Sequence, residues 1–159
     1  MAGSSFSITI DATSLKRAMA RLDRNSLEKR AHTAMRESVV MLQGKVQDNV
    51  PVNTGVSRGS VFGDVHGRSI ADLRGIVASP LEHMTVLEYG RRPGQTMPPV
   101  RAIQLWARRK LGDGSRGTAF IIARAIGRKG TRAHHMFRDA ADKGHGVISR
   151  IWARHLSGL

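Results

Sequence analysis

Apolar and polar residues alternate through Phe6-Ser7-Ile8-Thr9-Ile10, a two-residue period with β-branched members that predicts a short strand. Asp11 or Thr13 is placed to cap a short helix over Ser14 to Arg24, with Leu15, Met19 and Leu22 on one face. From Asn25 or Ser26 the period lengthens. Leu27, Ala31, Ala34, Met35, Ser38, Leu42 and Val46 recur every three or four residues, the stripe of an amphipathic helix about six turns long. Pro51 ends it, because a proline pushes the preceding residue out of the helical region.

Ser60–Val65 and Leu73–Ala78 are short alternating or β-branched runs, and the polar stretch from His66 to Asp72 between them predicts a β-hairpin with a long loop. Pro80 closes it. Leu81–Tyr89 reads as a short helix or turn stopped by Gly90 in the left-handed C′ position. Arg91–Pro99, with its Gly and Pro breaks, is a loop that we expect to be mobile until a partner orders it. Val100, Ile103, Trp106, Ala107 and Leu111 then form the apolar face of a helix whose first turn holds Pro99. Gly112–Gly117 reads as a flexible break. Thr118 caps a helix over Ala119–Gly127, ended by Gly130. The last helix starts near Phe137 and carries Phe137, Ala141, Gly144, Ile148, Ile151 and His155 on one stripe, flanked by Ala140, Val147 and Trp152.

This order predicts an α+β fold, a small antiparallel sheet packed against the long N-terminal-half helix and the C-terminal helix. At 159 residues the chain has the length of one domain. Within it, 1–25 holds the first strand and short helix, 26–99 the long helix, hairpin and loops, and 100–159 a basic helical part.

Charge changes the picture more than any other compositional feature. Lys and Arg number 26 against 12 Asp and Glu, a net of +14. Residues 1–80 carry 11 basic and 7 acidic groups, residues 81–159 carry 15 and 5. Such an excess points to a polyanionic or acidic partner. The densest candidates for that contact are Arg91 and Arg92, Arg108-Arg109-Lys110, and Arg128, Lys129 and Arg132. Cations at helix C-termini also complement the helix dipole, so these clusters have a purely local explanation as well.

Little points to an enzyme. The absence of cysteine removes thiolate nucleophiles, thiolate metal sites and disulfides. No carboxylate pair has a catalytic spacing, and neither a phosphate loop nor a nucleophile elbow is present. His134-His135 with His145 lacks the further ligand a metal nuclease needs. We therefore expect no catalytic residue, no metal and no cofactor. No apolar run reaches the ~20 residues of a membrane span. The first five residues lack the basic and apolar regions of a secretory leader, so we expect synthesis in a cytoplasm.

One series of short motifs remains. Pro51-Val52-Asn53-Thr54-Gly55 follows the long helix, with Asn53 or Thr54 able to cap a short turn over Val56–Ser60. Arg58 and Ser60 follow. Downstream come Glu88-Tyr89-Gly90, Met97-Pro98-Pro99, and Phe137 with Ala140 and Ala141. In this order they resemble the tail-completion or neck family of long-tailed bacteriophages, the small head–tail joining proteins, over roughly residues 26–142. Asn53 stands where that pattern has Asp, Ser57 where it has an apolar residue, and His83 where Tyr is common. The resemblance assigns Pro51, Thr54, Gly55, Glu88 and Gly90 to the motif. It implies a non-enzymatic ring in the virion neck, between portal and tail, made in the host cytoplasm. It also implies self-association, six-fold favoured over twelve-fold, contacts with neck, head-closure or tail-tube proteins, and passing DNA as a further partner. The alternative is a basic nucleic-acid-binding protein.

Overall fold

The computed structural model describes residues 6–11 and 24–157. Strand β1 (Phe6–Asp11) precedes helix α1 (Arg24–Asn49) and the one-turn helix α2 (Val56–Gly59). Strands β2 (Phe62–His66) and β3 (Arg74–Ser79), then α3 (His83–Tyr89), α4 (Val100–Leu111), α5 (Arg116–Lys129) and α6 (Met136–Leu156) follow. The expected helix from Ser14 lies outside the described residues, apart from its last residue, which opens α1. The fold is α+β.

The three strands form one antiparallel sheet in the order β1-β3-β2. Phe6 pairs with Ser79 and Asp11 with Arg74, while Phe62 pairs with Ala78 and His66 with Arg74. The chain divides into two compact units, one of Met1–Met84 with His135–Leu159, the other of Thr85–His134.

In the first unit α1 packs on α6 and on β2 and β3. All seven residues of the predicted stripe, from Leu27 to Val46, are buried, and Val39 joins them. Burying a Leu or Val side chain of this kind contributes about 1.5–3 kcal/mol. Ser38 is tolerated in the stripe because its hydroxyl donates to the Ala34 carbonyl one turn back, at 2.7 Å. Val39 explains two glycines in the sheet. A Cβ on Gly63 would lie 2.4 Å from Val39 Cγ1, and one on Gly75 2.5 Å from Val39 Cγ2. The bare backbone of two neighbouring strands is the seat for one side chain of the helix. From α6, Met136, Phe137, Ala140, Gly144 and Ile151 are buried against this core, whereas Ile148 is half-buried. Asn49 Nδ2 donates to the Met136 carbonyl at 3.2 Å, tying the end of α1 to the start of α6.

Near the other end of the pair, Glu37 accepts hydrogen bonds from Arg154 and, at 2.7 Å, from His155 Nε2. Those bonds, Arg154's foremost, hold the Glu37 carboxyl below its usual range.

The β2–β3 loop is built around Asp72. Its carboxylate accepts from the Ser69 hydroxyl at 2.6 Å, the Ser69 amide at 2.8 Å and the Arg68 amide at 3.3 Å. Led by the Ser69 hydroxyl, these bonds lower its pKa to about 2.

Candidate assembly surface

The motif loop folds back on α1. Gln43 and Gln47 both donate to the Val61 carbonyl, at 3.1 and 3.3 Å, and Arg58 pairs with Asp48 at 2.9 Å. Thr54 Oγ1 accepts the Val56 amide at 3.3 Å, and Gly55 enters α2 at φ 81°. Ser60 donates its hydroxyl proton to the Ser57 carbonyl at 2.8 Å. Its 2.8 Å contact with Ser79 Oγ must therefore use the Ser79 proton, which leaves Ser79 free to accept the Leu81 amide at 3.3 Å. A chain of hydroxyls thus locks the loop to the end of β3. Ser57 and His83, two positions at which the sequence departs from the neck pattern, are hydrogen-bonded to each other at 2.8 Å. Val52 and Val56 stay exposed. Glu88 is buried, which places it inside the fold.

The basic candidates all belong to the second unit. Its 50 residues hold eleven Arg and Lys against Glu88 and Asp113, a net of +9 out of the chain's +14. Gly90, at φ 73°, closes α3 as expected, with its amide on the Val86 carbonyl. Arg91 then pairs with Thr131 as an isolated antiparallel bridge, with both N–H···O bonds at 3.0 Å. Glycine is needed on each side of the crossing. A Cβ on Gly90 would lie 2.4 Å from the Thr131 carbonyl oxygen, and one on Gly130 2.1 Å from that of Arg91. The Gly94 amide reaches the Gly127 carbonyl at 2.9 Å, and the Arg91 guanidinium donates to the Thr96 carbonyl. The expected free loop over 91–99 is thus clasped to the end of α5. Arg91 is half-buried and structural, while Arg92 is exposed.

α4 and α5 pack on each other, and their fully buried residues are small, Ala107 in one and Ala119, Ala123 and Gly127 in the other, the last against the backbone of Gln95 and Met97. The expected apolar face of α4 is found in part: Ala107 is buried and Val100 and Ile103 are half-buried, but Trp106 is 37% exposed and Leu111 57%. The turn between the helices is well bonded, not the flexible break expected. Asp113 accepts from the Ser115 amide at 2.7 Å and from Thr118 Oγ1 at 2.5 Å, and Gln104 donates to the Gly114 carbonyl at 2.7 Å. The Thr118 bond, then the Ser115 amide, holds the Asp113 carboxyl below its usual range. The cap of α5 is Ser115, whose hydroxyl accepts the Thr118 amide at 3.2 Å, so the helix starts three residues earlier than expected.

So short a connection makes α4 and α5 antiparallel. The predicted cations therefore gather at opposite ends of a hairpin roughly 20 Å long. Arg108, Arg109 and Lys110 sit in the last turn of α4, beside the turn. Arg128 and Lys129 end α5 at the far side, where the bridge brings Arg91, Arg92 and Arg132 to them. Among the described residues no ion pair involves the exposed cations of this unit. Arg116 stands in the first turn of α5, where the helix dipole disfavours a cation and the nearest offsetting carboxylate is that of Asp113, just before the helix.

Between the clusters the hairpin exposes Leu105, Phe120 and Ile121, the last at 68%. The sequence reading missed these three. Their signal was the doublets Leu105-Trp106 and Phe120-Ile121, which put apolar groups on more than one helix face.

No three His, Asp or Glu side chains among the described residues are placed to hold a metal ion. His134 and His145 are exposed, and His135 caps α6 with a left-handed backbone at φ 49°. No described helix is long and apolar enough to cross a membrane. In comparisons with known proteins, no family model, curated protein or solved structure matches this chain.

Proposed function

We propose that this protein is a non-enzymatic structural component of a phage neck, a ring-forming tail-completion or tail-terminator-like protein that joins head to tail in the virion. The observation that carries this reading is the α4–α5 hairpin, whose exposed side chains are large apolar groups interleaved with arginines that have no ion-pair partner among the described residues. Aromatic and Arg enrichment with little Lys is the composition of protein–protein interface cores. Exposed Val52 and Val56 on the motif loop add a second apolar patch, and a closed ring of head-to-tail contacts needs two different patches on each subunit. The long helix, the capped Pro51–Gly55 loop, the buried Glu88 before Gly90 and the C-terminal helix occur in the order the motifs imply.

The alternative, a nucleic-acid-binding protein, is supported by the net +9 of the second unit. A phosphate-tracking surface favours a continuous cationic stripe, however, and here Leu105, Phe120 and Ile121 interrupt it. Size-exclusion chromatography with light scattering, followed by electron microscopy, tests the proposal. A closed ring that seats on the end of isolated tails or heads is the expected result. A protein that stays monomeric and binds duplex DNA with an affinity falling steeply in salt would overturn it.

A further inference from the structure

The first unit carries a feature that the assembly surface does not use. Along α1, Glu28, Lys29, His32, Thr33 and Arg36 line one side of a cleft of about 520 Å³, and Arg68 from the β2–β3 loop lines the other. The volume is that of a small-ligand site, but ligand pockets are mostly apolar, and this lining is charged and polar. It suits a hydrated anion.

Three observations make the cleft more than a chance grouping of surface cations. The loop carrying Arg68 is rigidly built, by the three bonds to Asp72 and by Gly67, whose Cβ would lie 2.3 Å from the Asp72 carbonyl oxygen. The loop is also tied to the helix, since His32 Nε2 lies 3.4 Å from the Arg68 carbonyl. A carbonyl only accepts, so that ring nitrogen carries the proton, and Nδ1 is left for another partner. Finally, the ammonium of Lys29 and the guanidinium groups of Arg36 and Arg68, which line the same cleft, have no carboxylate partner among the described residues. The Thr33 hydroxyl proton is committed to the Lys29 carbonyl at 2.9 Å, so Thr33 shapes the wall and does not donate into the cleft. Among the described residues that line the cleft, Glu28 is the one acidic side chain.

We propose that the cleft between α1 and the β2–β3 loop binds a phosphate group through Lys29, Arg36 and Arg68. Two guanidinium forks and an ammonium match the oxygens of a phosphate, and each charge-assisted bond is stronger than a neutral one. The ligand is a phosphate monoanion or dianion, either free or carried by a nucleic acid backbone. The site does not depend on the neck assignment or on the hairpin.

The test is a titration of the full chain with inorganic phosphate, followed by amide NMR shifts at constant ionic strength. Saturable shifts confined to residues 28–36 and 67–69 are expected. Arg36→Ala and Arg68→Ala should each weaken binding about tenfold, the effect of losing one charge-assisted hydrogen bond. Glu28→Gln should tighten it, and Arg58→Ala, whose side chain is paired elsewhere, should leave it unchanged. All four sites are at the surface, and far-UV circular dichroism verifies the fold of each variant. A parallel titration with a short DNA duplex separates the two sources. If the duplex moves the same resonances and the same two variants weaken it, the phosphate is that of a nucleic acid. If inorganic phosphate alone does so, the ligand is a small anion. Shifts that do not saturate, that spread over the whole basic surface, or that survive Arg36→Ala and Arg68→Ala unaltered would overturn the proposal.

Discussion

Gly144 and Leu42 meet where α6 crosses α1, and one methyl group there should reverse the sign of its effect with the side chain opposite. A Cβ built on Gly144 lies 2.6 Å from Leu42 Cδ2, while the next neighbours, Leu42 Cγ and Met41 Cε, are at an unstrained 3.8 Å. Carbon atoms pack at about 3.5–4.0 Å, so the shortfall is about 1 Å against a single atom. Leu42 is fully buried and has little room to turn. Gly144→Ala gains about 1 kcal/mol of helix propensity and loses about 1–3 kcal/mol to overpacking, so the wild-type background should be destabilised by up to about 2 kcal/mol. Leu42→Ala alone should cost about 2–5 kcal/mol through the cavity it leaves. In that background the clashing atom is gone. Gly144→Ala should then stabilise the protein by about 1 kcal/mol, a coupling well above the ~0.5 kcal/mol within which independent sites add. Urea unfolding followed by Trp152 fluorescence, in a Trp106→Phe background so that α6 alone is reported, measures all four corners of the cycle. A Gly144→Ala effect of the same sign in both backgrounds would refute the close crossing.

Three further outcomes follow from the geometry. Asp72 has a depressed pKa of about 2 against an unperturbed 3.8, so its contribution to stability is complete above pH 3.8 and is lost as the pH falls through about 2. Asp72→Asn should flatten that part of the acid limb in urea midpoints, and a carboxyl resonance titrating near 3.8 would contradict it. Gly130→Ala places a Cβ 2.1 Å from the Arg91 carbonyl oxygen at φ 74°, and should cost on the order of 2–3 kcal/mol and strip hydrogen-exchange protection from the Arg91 and Thr131 amides. Gly94→Ala, also at positive φ but in open space, should cost only about 1–2 kcal/mol. Leu105→Ser with Ile121→Ser should leave the melting temperature within a few degrees of wild type while abolishing ring formation or docking, and unchanged assembly would remove the hairpin from the interface.

The elements that were legible in the sequence are those whose packing uses large side chains with a clear period. The α1 stripe is one, because every position from Leu27 to Val46 that recurs at helical spacing faces the core. The β2–β3 hairpin is another, because its strands pair locally. The position of β3 at the centre of the sheet was not legible, since the Phe6–Ser79 pairing spans most of the first unit. In the α4–α5 hairpin the usual inference inverts. The fully buried positions are alanines and a glycine, while the larger Trp106, Leu111, Phe120 and Ile121 are left exposed. A reading that sends large apolar groups inward finds the helices there and places Val100, Ile103 and Ala107 correctly, but wrongly sends Trp106 and Leu111 inward. The loop at 112–115 looked loose because glycines mark breaks, yet the bonds to Asp113 depend on which hydroxyls come within reach, and composition does not report that. The cations were legible as a list. Their division between two ends of a hairpin was not, because it follows from the length of the turn and from the bridge at Arg91 and Thr131.

The division of the chain into units also sets an order of events during synthesis. The second unit is continuous, Thr85–His134, and can close as soon as it leaves the ribosome. The first is interrupted, and its core needs α6 from the far end of the sequence. Between Asn49 at the end of α1 and Met136 at the start of α6, translation at ~5–20 residues per second takes roughly 4–17 seconds. For that interval Leu42 and Val46 have no α6 to cover them. The nascent chain therefore passes through a stage in which its most regular helix is also its most adhesive surface. Chaperone dependence during expression should be relieved by supplying the α6 segment in trans, and not by changes to the basic hairpin.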